Sequence, residues 1–230
     1  MAGRCAVLLL GLGACTAAGP SREGTIPLRA SLAVRPTADG EASVVRLIDT
    51  LAQQHAQQAE RTVTGAAPPH PPGPLELRPQ TESFNDRPPL QFTTVRAPGC
   101  DGLAHAVGAA QTEAPLPSEI VPAYADEAGG CTVVFVDRRR GFVLAPGAAA
   151  RVDAPADLSA PSVLLFLAPE DTEVLRALTR EQLGLRMSVL KDDREALLTA
   201  TVRDEIPVGV LSISPGPDQD AQSLLERLTQ

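Results

Sequence analysis

Apolar and polar residues alternate from Ile26 to Val34, with Leu28, Ala30, Leu32 and Val34 on one side and Arg29, Ser31 and Ala33 on the other. That period of two predicts a strand with one buried face. After Asp39, a candidate N-cap, the period changes: Val44, Ile48, Leu51, His55 and Ala59 recur at three-and-four spacing and predict a helix from Glu41 to Arg61. Gln53, Gln54, Gln57 and Gln58 take its solvated side. Residues 66–74, Ala-Ala-Pro-Pro-His-Pro-Pro-Gly-Pro, end both patterns, because each proline lacks an N–H and pushes the residue before it to extended angles. They read as a spacer. Strands are predicted at Leu75–Arg78 and Leu90–Arg96 around a polar turn at Asn85-Asp86, and an irregular stretch runs from Cys100 to Gly130. Cys131–Val136 and Phe142–Leu144 then read as a hairpin about Asp137-Arg138-Arg139-Arg140-Gly141.

From Pro161 the pattern sharpens. Ser162–Ala168 is an apolar strand, and Pro169, Glu170 and Asp171 open a helix in which proline fixes the first turn and the carboxylates face the positive end of the dipole. Val174, Leu175, Leu178 and Leu183 give that helix its buried face, and Gly184 its C-cap. Leu185–Leu190 and Glu195–Val202 flank a turn at Lys191–Arg194, Val208–Ile213 forms another strand, and a last helix starting near Pro217-Asp218 buries Ala221, Leu224, Leu225 and Leu228. This order predicts an α+β fold, a ferredoxin-like βαβ-type sheet with helices on one face, preceded by a smaller strand–helix region.

Composition bounds what such a chain can do. Its 230 residues, 43% hydrophobic and 3% aromatic, suffice for one ordinary core or two small ones. A net charge of -8 and a pI of about 4.9 oppose a grip on phosphate backbones, so nucleic acid is not an expected partner. The one charged residue before the apolar run Ala6–Leu12 is Arg4, and the run falls far short of the roughly 20 residues that span a bilayer, so it reads as an export leader. Leu12-Gly13-Ala14-Cys15 resembles the lipobox of bacterial lipoproteins. On that reading residues 1–14 are removed and Cys15 carries the diacylglyceryl group that ties the chain to the membrane. The alternative is an ordinary signal peptide cut after Ala18, giving a secreted protein. Both are extracytoplasmic.

Once Cys5 and Cys15 are removed or lipidated, Cys100 and Cys131 remain, and outside the cytoplasm such a pair is most often one disulfide. A metal site would need more donors than these two thiolates and His105. The sequence then divides into the leader (1–14), a tether with the strand–helix region (15–65), the spacer (66–74), a β region carrying the cysteine pair (75–160) and an α+β subdomain (161–230).

The stretch from Leu75 onward resembles the first large periplasmic (head) domain of SecD and SecDF, membrane proteins that assist protein export. Leu75-Glu76-Leu77-Arg78-Pro79 is similar to the strand that opens that region, and Phe142-Val143-Leu144-Ala145-Pro146 to the segment that follows its cysteine strand. Leu178-Thr179, Gly184–Leu190 and Ile206-Pro207-Val208-Gly209 match a helix end, a glycine-led strand and an Ile-Pro-x-Gly close. Asp192-Asp193 departs from the family's Asp-Gly turn, which puts a glycine-dependent turn geometry in question, and the strand that closes the family's sheet has no counterpart after the last helix. The resemblance implies a head-like module that contacts emerging chains, without the membrane-embedded motor.

No Gly-x-Ser-x-Gly, His-Glu-x-x-His, Gly-x-Gly-x-x-Gly or phosphate loop occurs. Glu170-Asp171, Asp192-Asp193 and Asp204-Glu205 fall at a helix start, a turn and a strand end, where each has a structural use. The sequence therefore names no catalytic residue, no cofactor and no metal ligand. It leads to the expectation of a lipid-anchored, non-enzymatic envelope protein whose SecD-like module meets a protein partner. An envelope ligand-binding lipoprotein is the alternative, with an envelope hydrolase further behind.

Overall fold

The computed structural model describes residues 23–63, 74–83, 88–127, 129–153, 161–213 and 220–229. Cys5, Cys15 and the rest of the leader, the spacer residues 66–73, the Asn85-Asp86 turn and Pro217-Asp218 lie outside the described residues. The elements in chain order are β1 (Ile26–Pro27), β2 (Leu32–Pro36), α1 (Ala42–Val63), β3 (Glu76–Glu82), β4 (Leu90–Ala97), α2 (Cys100–Glu113), β5 (Ile120–Glu127) and β6 (Gly130–Asp137). There follow β7 (Phe142–Leu144), β8 (Ala149–Asp153), β9 (Ser162–Phe166), α3 (Pro169–Glu181), β10 (Arg186–Lys191), β11 (Glu195–Thr201), β12 (Val210–Ile213) and α4 (Ala221–Thr229). The class is α+β.

The chain divides into two compact units. The first comprises the chain up to Pro36, Arg140–Asp193 and Leu197 onward; the second comprises Thr37–Arg139 and Arg194–Ala196. These boundaries correct the sequence division at 160 and the grouping of the early strand with the early helix. Partnership, not proximity along the chain, decides the units: β2 pairs with β10 and β7, far downstream, while α1 packs on α2.

In the first unit the strands of 161–230 do not form one sheet. β1, β8, β9 and β12 lie side by side in that order in one sheet, and β11, β10, β2 and β7 in another. Apolar side chains from both sheets and both helices fill a shared core that includes Leu32, Leu144, Leu165, Leu175, Ile213 and Leu228. Ala221, Leu224, Leu225 and Leu228 are the buried face of α4, as their spacing predicts. The face of α3 is narrower than predicted: Leu175 and Leu178 are buried, Leu183 is half-buried against the same core, and Val174 is exposed.

The predicted strand 26–34 is two strands in different sheets. Between them the backbone bends, and Leu28 N–H donates to Ala148 O while Arg29 N–H donates to Leu228 O. β2 then pairs antiparallel with β10, Val34 opposite Val189. Phe142–Leu144 pairs with β2 instead of forming a hairpin with Cys131–Val136. Gly141 permits this path. Its φ is +100°, and a Cβ there would lie 2.0 Å from Val34 O.

The second unit places β3, β4, β6 and β5 side by side, β6 antiparallel to both β4 and β5. α1 and α2 cover a core of small and branched side chains, among them Val44, Leu47, Leu51, Leu103, Val107, Val133 and Phe135. Leu47 replaces Ile48 at the centre of the α1 stripe, and Ile48 packs at its margin. The stretch 100–130 is a helix and a strand, not irregular. Its alanines and glycines give little apolar contrast, yet Leu103, Ala106, Val107 and Ala110 keep helical spacing against the sheet.

Candidate functional site

The best-defined constellation lies in the first unit, where the segment from Val202 to Gly209 is strapped along α3. At its start Gly184 N–H donates to Val202 O (2.8 Å) and Val202 N–H to Leu185 O (2.9 Å). Ile206, which is buried, donates its N–H to Thr179 Oγ1 (3.0 Å), and that hydroxyl donates to Leu175 O (2.9 Å). Such a bond to the carbonyl one turn back lets a threonine sit 1% exposed inside a helix. At the end Gly209 O accepts from Leu167 N–H (2.8 Å). Gly209 lies so close to α3 that a Cβ would come within 2.8 Å of Thr172 Oγ1.

Glu205 fastens the middle of the strap. Arg180 reaches it with two parallel bonds of 2.9 Å, from Nε to Oε2 and from Nη2 to Oε1, and Arg176 Nε donates to Oε1. The two-pronged geometry is the strong form of a guanidinium–carboxylate contact. Hydrogen bonds from Arg180, then from Arg176, lower the Glu205 pKa from 4.5 to about 2, and Glu205 in turn raises that of Arg180. Fixed in this way, the strap presents Val208 at its tip, 52% exposed.

A second polar cluster of this unit fixes the turn after β10. Asp192 and Asp193 both adopt positive φ, +50° and +56°, so aspartates make the left-handed turn that the resemblance assigns to glycine. The Asp192 carboxylate accepts from the N–H (3.1 Å) and hydroxyl (3.2 Å) of Ser31, and Asp193 accepts from Arg35 Nε (3.3 Å). Aspartate tolerates this conformation better than most residues, and these bonds offset what it costs. Next to the turn, Lys191 Nζ donates to Arg227 O in the last turn of α4, where the helix dipole favours a cation.

The structure joins Cys100, at the start of α2, to Cys131 in β6, with their Cα atoms 5.0 Å apart. His55 is half-buried on α1 and His105 is exposed on α2, not in a loop; His70 lies outside the described residues. Of the acidic pairs, Glu170-Asp171 occupies the first turn of α3 and the other two belong to the turn and strap above. Among the described residues no three His, Cys, Asp or Glu side chains converge to hold a metal. The arginine turn is paired within each unit: Arg139 with Glu119 (2.6 Å) and Arg140 with Glu181 (3.0 Å). A shallow open groove in the second unit, lined by Arg46, Asp49, Thr50, Gln53 and Glu113, carries both signs of charge on a wide mouth.

The sequence reading missed the strap's anchors on α3. Thr172, Arg176, Thr179 and Arg180 form a polar flank at helical spacing beside Leu175 and Leu178, and that stripe was the available signal.

No protein-family model matches the chain, and no curated protein does. A solved structure described as "Structure and function of a membrane component SecDF that enhances protein export" is similar over 86% of this chain and 91% of that one, at 12% identity and a TM-score of 0.30. Among the described residues no helix is long and apolar enough to cross a membrane.

Proposed function

We propose that this chain is a lipid-anchored extracytoplasmic protein, held by Cys15, whose first unit is a non-enzymatic module that contacts exported proteins or the export machinery. The observation that carries the reading is the strap. Hydrogen bonds at both ends, a buried threonine and two arginines fix a segment whose Pro207 and Val208 remain at the surface. Ordering backbone costs about 1–2 kcal/mol per residue, and a rigid apolar tip recovers that cost when a partner binds without further ordering. The same Ile206-Pro207-Val208-Gly209 run is one of the segments that resembles the SecD head. The Cys100–Cys131 bridge supports an oxidising compartment.

A photocrosslinking residue at Val208 in cells, with a control at Gln57 on α1, tests the contact. Capture of export components or newly exported chains from position 208 alone supports it. Capture of one unrelated envelope protein removes export from the account, and equal capture from both positions removes the strap. Labelled fatty acid incorporated by the natural chain and lost in Cys15→Ala tests the anchor; labelling that persists in the variant overturns it.

A further inference from the structure

We propose that the second unit is redox-conditional: α2 settles on its sheet only after Cys100 and Cys131 have been joined, whereas the first unit folds without that step. The proposal rests on the build of α2 and not on the anchoring or partner reading above.

α2 has little of its own to hold it. Gly99, at its N-cap, makes no side-chain capping bond, so nothing there replaces the usual Ser, Thr, Asp or Asn acceptor. Gly102 and Gly108 lie inside the helix, and a Cβ added at either would meet nothing within 4 Å. Neither glycine is therefore required for close packing, and each lowers helix propensity. Two of the four buried side chains, Ala106 and Ala110, offer only a methyl group, with Leu103 and Val107 as the larger pair. The bond from Cys100 to Cys131 thus pins the uncapped start of the helix, where Asp101 is the one acidic residue, to the beginning of the inner strand β6. In the first unit, by contrast, the described residues contain no cysteine; α3 also lacks a side-chain cap but opens on Pro169, Glu170 and Asp171, and α4 begins with an aspartate cap, Asp220 accepting from both the N–H (2.8 Å) and the hydroxyl (2.6 Å) of Ser223.

The bond is made by thiol–disulfide exchange, after which Cys131 is wholly buried and Cys100 partly exposed. A disulfide of an extracytoplasmic thiol oxidoreductase is attacked by one of the two cysteine thiolates, which forms a mixed disulfide and releases one thiolate of the oxidant. The other cysteine thiolate then attacks the sulfur of the first and releases the second. The protein loses two electrons and two protons, and the oxidant leaves as a dithiol.

Hydrogen exchange on the full mature chain, oxidised and then reduced with a phosphine, tests this. On reduction, amides of 100–113 are expected to exchange at least tenfold faster while those of α3 and α4 keep their rates. Gly102→Ala with Gly108→Ala is expected to restore protection of α2 in the reduced chain. Retained protection of α2 after reduction overturns the proposal, as does simultaneous loss of protection in α3 and α4. Failure of the alanine pair to slow exchange in the reduced chain removes helix weakness as the cause and overturns it too.

Discussion

In the first unit the bends and ends of the chain are fastened by short polar side chains: Asp192 and Asp193 at a left-handed turn, Asp220 at a helix start, Thr179 and Glu205 along the strap. In the second unit the comparable task at α2 falls to one covalent bond, with alanines and glycines around it. Polar fastening forms wherever the chain folds, whereas a disulfide forms only where an oxidant is present. The two units thus depend on different fastenings, the first on polar side chains and the second on a covalent bond.

The largest expected effect tests the covalent side. Replacing both Cys100 and Cys131 with alanine frees a loop whose closure is worth about 3–4 kcal/mol in the chain-entropy model. Urea unfolding followed separately in each unit should show the loss in the second unit; a loss under about 1 kcal/mol would erase the contrast. Next is Gly141→Ala, whose new Cβ would collide with Val34 O and force β7 off β2. We expect more than about 2 kcal/mol there. Gly147→Ala, at φ +99° but in open space, should cost about 1–2 kcal/mol, the backbone part alone.

Smaller effects sharpen the polar side. Asp192→Ala removes the one oxygen, Oδ1, that accepts both Ser31 bonds and should cost about 1–2 kcal/mol by chemical denaturation. Asp193→Gly loses the Arg35 bond but relieves a positive φ, so its net effect should stay under about 1 kcal/mol. Equal losses in the two variants would mean that backbone strain plays no part in this turn. The last prediction concerns acid. Glu205 has a folded pKa of about 2, below its ordinary 4.5, so its contribution is present above pH 4.5 and is lost as pH falls towards 2. Melting temperatures of the natural chain should fall more steeply across that window than those of Glu205→Gln, and parallel curves would detach Glu205 from acid stability.

Where apolar contrast is strong, the sequence was enough to locate structure. Ala221, Leu224, Leu225 and Leu228 named the face of α4 because polar residues separate them at helical spacing. Cysteine counting singled out Cys100 and Cys131, since only a few residues were available to count. α2 escaped because glycine and alanine blur the periodicity, and β5 because Pro122 and the small Ala123 and Ala125 weaken its alternation. The partner of β7 escaped for another reason. A hairpin is the cheapest guess between neighbouring strands, and the collision that Gly141 avoids involves a carbonyl about a hundred residues away. Glu205 looked like one member of an acidic pair at a strand end; its role depends on Arg176 and Arg180, which read locally as an ordinary solvated flank of α3.

The threading of β2 has a consequence in time. Synthesis runs from the N-terminus, so Leu32, Ala33 and Val34 emerge long before the strands that will flank them, β7 and β10. During that interval an apolar ribbon stands with both edges open, a form that invites mispairing with other chains. The second unit is made almost entirely within the same interval. Its emergence is the delay that β2 has to survive before both flanking strands, the second ending at residue 191, are present to close its edges.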